Sequence, residues 1–299
     1  MIEGEASVKK YAVILNPAAG RGKVKNQEGI IFDLLKKEIG DFDIFRTEFP
    51  GHGQDISRKI CSDYSVIVAI GGDGTMHETV NGMIGGTAAL AAVPAGSGND
   101  FIKMLNLPRD LKDIIHVIQE DKRKKIDIGK VGEIYFPNGL GIGFDAWVVR
   151  ESQKIKKLRG FSIYLYAVLK TVFSYPNSSI IFSADGVTEM KDIFLIAVGN
   201  GRAMGGGFFL TPDALIDDGK FDVCIIHALS KREVFLNLPK AITGAHVTMP
   251  QVKMIRTDKL EIRSEEGIAV HADGELLGMN LKNLDISIMP QALEVVCRP

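Results

Sequence analysis

Val66-Ile67-Val68-Ala69-Ile70-Gly71-Gly72-Asp73-Gly74-Thr75 decides how this chain is read. Five consecutive apolar residues, four of them β-branched, match a strand buried on both faces, as in a parallel sheet covered by helices. The glycines that follow let the backbone approach a ligand closely and adopt positive φ, and the carboxylate among them can orient a metal ion or a ligand group. A plain turn needs one glycine, and this one has three.

The same alternation extends to both sides. Residues 11–15, 42–45 and 88–93 are further strand-length apolar runs, and residues 24–39, 54–61, 75–84 and 111–120 read as helices. The last of these carries Leu111, Ile114, Ile115 and Ile118 at helical spacing. The pattern predicts a doubly wound α/β nucleotide-binding domain over residues 1–128, with ligands held by loops at the carboxyl ends of the strands. From residue 129 the pattern changes to short alternating segments at 191–198, 221–226, 253–262, 267–271 and 284–288. Asp185-Gly186, Asp218-Gly219 and Asp273-Gly274 punctuate them as turns. This predicts a C-terminal antiparallel β-sandwich domain over 129–299, interrupted by helical stretches at 151–173 and 231–243.

At 299 residues with 45% hydrophobic and 24% charged residues, the chain has the composition of a globular protein, not a disordered one. A net charge of -1 gives no general attraction to nucleic acid, so none is expected as a partner. Cys61, Cys224 and Cys297 are odd in number and form no CxxC pair, and they read as reduced structural thiols of a cytoplasmic protein. The first ten residues lack a secretory signal, and no run reaches the ~18 apolar residues that span a bilayer.

Two more loops resemble the glycine–aspartate loop in placement. Asn16-Pro17-Ala18-Ala19-Gly20-Arg21-Gly22-Lys23 follows a strand and opens a helix, where free N–H groups and the helix dipole favour phosphate. It is not a Walker A loop, since Val24 stands where Ser or Thr would hold the metal, and it reads otherwise as a flexible basic turn. Pro94-Ala95-Gly96-Ser97-Gly98-Asn99-Asp100 again follows a strand and ends in a carboxylate. Together the three loops converge on nucleotide binding.

Gly71 to Thr75, the Gly96-Ser97-Gly98-Asn99-Asp100 run and the Asn16-Pro17 turn resemble the catalytic domain of the diacylglycerol kinase family, which includes sphingosine and ceramide kinases. Together with the Asp273-Gly274-Glu275 tripeptide, the resemblance is greatest to soluble bacterial diacylglycerol kinases and their lipid kinase relatives, and it covers nearly the whole chain. It implies an ATP- and magnesium-dependent kinase acting on a lipid hydroxyl, diacylglycerol foremost. ATP would meet Asn16, Thr47, Gly71, Gly72, Asp73, Gly74, Thr75, Met76, His77 and Ser97. Glu275 would be the general base, and Asp218 with the carbonyls of Leu215 and Lys220 would hold a structural magnesium. His77 departs from the Asn of many relatives. NAD kinase shares the glycine–aspartate pentapeptide and is the alternative reading, along with a catalytically silent nucleotide-binding protein on the same scaffold.

The local chemistry agrees with that assignment. Phosphoryl transfer needs positioning and charge neutralisation, which loop amides, metal and cations supply. A carboxylate must take the hydroxyl proton. Glu275 sits in a short loop after a strand, where a cleft would desolvate it and raise its pKa. Asp73 and Asp100 are rivals for that role and are read as organisers of magnesium and nucleotide.

Other residues carry less. The six histidines show no paired metal-ligating spacing, Trp147 reads as packing, and Gly205-Gly206-Gly207 as a mobile loop. Residues 154–172 place Ile155, Leu158, Leu165, Leu169 and Val172 on one helical face with Phe161 alongside. Lys154, Lys156, Lys157 and Arg159 crowd its start, with Tyr164 and Tyr166 further on. That face either packs on the β domain or meets a membrane, and the expectation is peripheral contact with the membrane that holds the lipid. Edge strands of the β domain offer a route to a homodimer.

Overall fold

The computed structural model describes residues 9–96, 98–155, 157–158 and 160–298. Two compact units emerge, neither contiguous in sequence: residues 9–96, 105–126 and 292–298 form the first, and residues 98–104 and 127–291 the second.

In the first unit β1 (Lys9–Leu15), β2 (Asp43–Arg46), β3 (Tyr64–Gly71) and β4 (Ala89–Pro94) alternate with α1 (Lys23–Ile39), α2 (His52–Ile60) and α3 (Asp73–Met83). All four strands run parallel in the order β2-β1-β3-β4. Val13 lies opposite Val68, which lies opposite Ala91. Residues 66–70 are completely buried, as expected for a strand covered on both faces. From β1 the chain winds first to β2 and then back past β1 to β3. The loops after β1 and β3 therefore flank the point where the winding reverses, where such sheets bind ligands. A helix of this unit, Leu111–Glu120, buries Ile114, Ile115, Val117 and Ile118 against the sheet.

A four-residue helix, α4 (Asp100–Lys103), precedes that segment, which is labelled α5, and β5 (Arg123–Val131) follows it. The second unit then adds β6 (Ile134–Phe136), β7 (Gly139–Gly143), α6 (Phe144–Ser152), α7 (Phe161–Thr171), β8 (Ser178–Ala184) and β9 (Val187–Gly199). It ends with β10 (Phe221–His227), α8 (Lys231–Thr243), β11 (Val252–Thr257), β12 (Lys259–Ala272) and β13 (Glu275–Val296). Two long strands organise it. The first part of β9 and of β12 pairs with β8, and the last part of each pairs with β7, so the four strands close on themselves as a β-sandwich-like body. Side chains alternate between two faces: Val223 and Ile225 point into the interior of this body, while Cys224 and Ile226 point to the layer formed by the helices.

Several sequence expectations shift. Residues 253–262 are not one strand, because the chain turns at Asp258 between β11 and β12. The predicted segments at 267–271 and 284–288 are parts of the much longer β12 and β13. The helical stretch at 151–173 is broken. Helix α6 ends at Ser152, and α7 starts only after Gly160, whose φ of 57° no ordinary side chain favours. The stripe of Ile155, Leu158, Leu165, Leu169 and Val172 is therefore not a single face. Helix α7 buries Ala167, Val168 and Thr171 and leaves Tyr166 and Leu169 exposed.

Asp127 is the polar tie of the second unit. Its residue is 1% exposed, Oδ2 accepts the Gly219 N–H at 2.6 Å, and Oδ1 accepts the Gln291 N–H at 2.8 Å. Asp127→Ala would leave both donors without their acceptor and should cost about 3 kcal/mol. A lowered urea midpoint at unchanged slope is the expected result, and an unchanged midpoint would remove Asp127 from this role.

Candidate functional site

Three loops meet at the carboxyl ends of β1, β3 and β4. Asn16 donates its main-chain N–H to Ile70 O at 3.1 Å and its amide Nδ2 to Thr75 Oγ1 at 3.0 Å, which ties the first loop to the second. Ala95 N donates to Gly71 O at 2.7 Å, tying the third loop to the second. Glycine makes this approach possible. A Cβ on Gly20, at φ 60°, would stand 2.7 Å from Ala95 O, and one on Gly72 would stand 3.0 Å from Gly96 Cα. A Cβ on Gly71 would overlap the Thr75 side chain.

Asp73 begins α3, so its half-buried carboxylate lies where the helix dipole favours negative charge. Thr75 and His77 are buried. Thr47, at the end of β2, is also buried and donates its N–H to Leu15 O at 2.9 Å. The neighbouring turn is held by Glu78, whose carboxylate accepts the N–H of Gly51 at 2.8 Å and of Gly53 at 2.9 Å at the start of α2. Sequence reasoning missed Glu78. An acid six residues into a helix carries no signal until another helix start is packed against it.

Not every expected ligand residue can reach a ligand directly. Met76 is 1% exposed and its N–H bonds Gly72 O within the helix, because helical periodicity turns it into the core. Asp100 is buried, with Oδ1 on Lys103 Nζ at 2.7 Å and Oδ2 accepting the Gly206 N–H at 2.6 Å. It organises the loop around Gly205-Gly206-Gly207, and its carboxylate is already shared between two protein partners. Ser97, Lys156 and Arg159 lie outside the described residues.

Glu275 opens β13 opposite Ala272, across the two-residue turn Asp273-Gly274. Both turn residues have positive φ, 49° and 88°, which is the hairpin geometry that Asp-Gly favours. Glu275 is exposed, so the protein alone does not desolvate it as expected from a cleft position. Two residues before the turn, His271 is buried and pairs with Asp145 at 2.9 Å.

Residues 215–220 offer two carboxylates, Asp217 and Asp218, and main-chain carbonyls including those of Leu215 and Lys220. This is the oxygen chemistry that magnesium uses. Asp218 is already engaged: Oδ1 accepts the Lys220 N–H at 3.0 Å, and Oδ2 is paired with Arg256. A cation there has to share or displace the guanidinium. Among the described residues no group of three or more His, Cys, Asp or Glu side chains forms a metal cluster.

The helices of the second unit cover an apolar cavity. Phe144, Val168, Phe208 and Leu238 are among its walls, and Asp145, Tyr164, Asn237 and His246 supply polar groups. Trp147 packs edge-on against Tyr175 at 5.7 Å, outside that lining. Cys61, Cys224 and Cys297 are buried free thiols, and burial pushes Cys224 up to about 12.

These features agree with what related chains show. Residues 10–131 match the diacylglycerol kinase catalytic domain, and residues 139–297 match the YegS C-terminal NAD kinase beta sandwich-like domain. The chain is 30% identical over 289 residues to YtlR of Bacillus subtilis (strain 168), a protein named as a lipid kinase, covering 89% of this chain and 93% of YtlR. It is 29% identical over 274 residues to the diacylglycerol kinase of Staphylococcus carnosus (strain TM300), covering 90% of each. A crystal structure from Bacillus anthracis str. Sterne superimposes with a TM-score of 0.82 over 99% of both chains, at 24% identity, a likeness of fold. The chain belongs to the bacterial diacylglycerol kinase and YegS family of lipid kinases. As a kinase of that family it uses ATP and acts on a lipid.

Burial in the cavity wall disfavours the imidazolium of His246 and lowers its pKa below the ordinary value. The unfolded chain takes up a proton that the folded chain refuses. Stability is therefore complete above about pH 6.5 and falls as pH drops below it. In urea titrations across pH, His246→Gln should flatten this part of the profile, and an unchanged profile would place the pH dependence elsewhere.

Proposed function

We propose that the chain transfers the γ-phosphoryl group of ATP to the free hydroxyl of diacylglycerol, giving phosphatidic acid. The observation that carries the nucleotide half is the juncture of three glycine loops at the reversal point of the first sheet. Loop amides there would hold the phosphates, with Asp73 at the start of α3 organising the metal–phosphate charge. Gly20→Ala, which meets Ala95 O and a strained φ, should raise the KM for ATP about tenfold, equivalent to about 1.4 kcal/mol. Asp73→Asn should act on kcat.

The lipid half rests on the cavity of the second unit, which we assign to acyl chain. Glu275 is proposed as the base that accepts the hydroxyl proton, and Glu275→Gln should cost roughly 10²–10⁴-fold in kcat with the fold intact. Near-normal turnover in that variant would sink the assignment. A panel of diacylglycerol, monoacylglycerol, phosphatidylglycerol, a long-chain base and NAD, each with labelled ATP, tests the substrate. Label in an organic-extractable product with diacylglycerol alone is the expected outcome, whereas label only in water-soluble product with NAD would overturn it.

Magnesium is proposed at Asp218 with the Leu215 and Lys220 carbonyls, where it would stabilise the turn before β10. Chelator should then lower the melting temperature of the wild type and leave Asp218→Ala unmoved. Melts indifferent to chelator in both the wild type and Arg256→Ala would remove magnesium from this turn.

No helix among the described residues is long and apolar enough to cross a membrane. Peripheral contact is proposed through α7 and α8; of the basic cluster that opens the 154–172 stretch, Lys154 is bonded to Glu151 at 2.9 Å. Tyr166, Phe173, Phe235 and Leu236 are exposed on and just beyond these helices, with Lys231 and Arg232 beside them. Apolar side chains beside cations suit an anionic bilayer surface. Phe235→Ser/Leu236→Ser should weaken co-sedimentation with anionic vesicles. Equal binding by wild type and variant at low salt would reject this surface.

A further inference from the structure

We infer that His271 positions Glu275 through the Gly274 amide, and that Asp145 holds His271 in the tautomer this requires. The inference rests on the reading of Glu275 as the base.

The Gly274 N–H points at His271 Nδ1, 3.2 Å away, so Nδ1 is the unprotonated acceptor. The ring proton then sits on Nε2, which donates to Asp145 Oδ2 at 2.9 Å. Asp145 lies in the first turn of α6, where the helix dipole favours an ionised carboxylate, and its side chain also lines the apolar cavity. Covalent and hydrogen bonds thus run without a gap from the cavity wall through Asp145, His271 and Gly274 to Glu275.

The slot for this pair is built into the sheet. His271 of β12 lies opposite Gly141 of β7, and a Cβ at Gly141 would overlap both His271 Nε2 and Asp145 Oδ2. The other side of the turn is held independently. Asp273 Oδ1 accepts the N–H groups of Asn138 at 3.1 Å and Gly139 at 2.9 Å. A turn of two residues, both in left-handed conformation, is thereby fixed at two points, and Glu275 is the first residue after it. A buried imidazole with both nitrogens bonded costs more desolvation than an apolar side chain of that size would. Its return is placement of the next exposed carboxylate, and small displacements of a reacting group cost large factors in rate.

Two substitutions separate the two bonds. His271→Gln can reach Asp145 with its amide N–H, but its carbonyl oxygen does not stand where Nδ1 accepts from Gly274. Asn can accept from Gly274 but does not reach Asp145. kcat and KM for diacylglycerol in mixed micelles, and KM for ATP, are measured for wild type, His271→Asn, His271→Gln, Glu275→Gln and the His271→Gln/Glu275→Gln double variant. His271→Gln should lose about tenfold in kcat, the share of one hydrogen bond, with both KM values within about twofold. His271→Asn should retain most of kcat, and His271→Gln should cost nothing further in the Glu275→Gln background. If Glu275→Gln is impaired but His271→Gln costs the same factor in both backgrounds, or acts on KM, the positioning inference falls and the base reading stands. If Glu275→Gln is as active as wild type, both fall. Independently of any variant, the imidazole ¹⁵N spectrum of the wild type should show His271 protonated at Nε2. A neutral ring protonated at Nδ1 would overturn the inference.

Discussion

The first unit depends on three backbones coming closer than side chains allow. Gly71 lies against the Thr75 side chain, Gly72 against Gly96, and Gly20 against the Ala95 carbonyl. Once these loops are in contact, Asn16 can bridge to Thr75, and β1, β3 and β4 present their ends as one surface. The parallel strand order then decides where that surface lies, because the reversal of winding between β1 and β3 leaves room for a ligand beside them. Loop chemistry and sheet topology thus select the same place for independent reasons.

The second unit solves a different problem. Its long strands β9 and β12 change partners halfway, from β8 to β7, which lets one set of strands enclose an apolar interior while the opposite face carries helices. That second face is where the cavity forms, since α6, α7 and α8 stand over the sheet with aromatic and aliphatic side chains between. The absence of a side chain at Gly141 admits the Asp145–His271 pair between this layer and the hairpin that carries Glu275. Polar groups at Asp127, Asn138 and Asp273 tie the turns of the same body together through main-chain amides and carbonyls.

The comparison with related chains narrows the chemistry to lipid phosphorylation, and the local structure redistributes the roles. Asp73 keeps a place at a helix start beside the glycine loops. Asp100 is drawn instead into a buried pair with Lys103 and the Gly206 amide. Asp218 shares its carboxylate with Arg256. Three acids in glycine-rich turns therefore have three different electrostatic settings, which residue type and spacing do not distinguish.

Residues 66–75 determined the parallel α/β unit by themselves, because an uninterrupted apolar run followed by three glycines has few other uses. Asp185-Gly186 and Asp273-Gly274 likewise marked their hairpins, since left-handed conformation at both positions is a local preference, whereas at Asp218-Gly219 only the glycine has positive φ and the pair leads into β10 without a hairpin. What the sequence could not show were the relations between distant positions. Met76 stands inside a glycine-loop motif but faces the core, a consequence of how α3 is rotated against β3. The break at Gly160 divides an apolar stripe that looks continuous by spacing, and β12 and β13 extend well beyond their alternating segments because pairing carries them on. The Glu78 cap on α2 and the Asp145–His271 pair each join residues more than twenty positions apart. Hydrogen bonds of that kind leave no periodicity in the chain, so only the folded arrangement of the strands decided them.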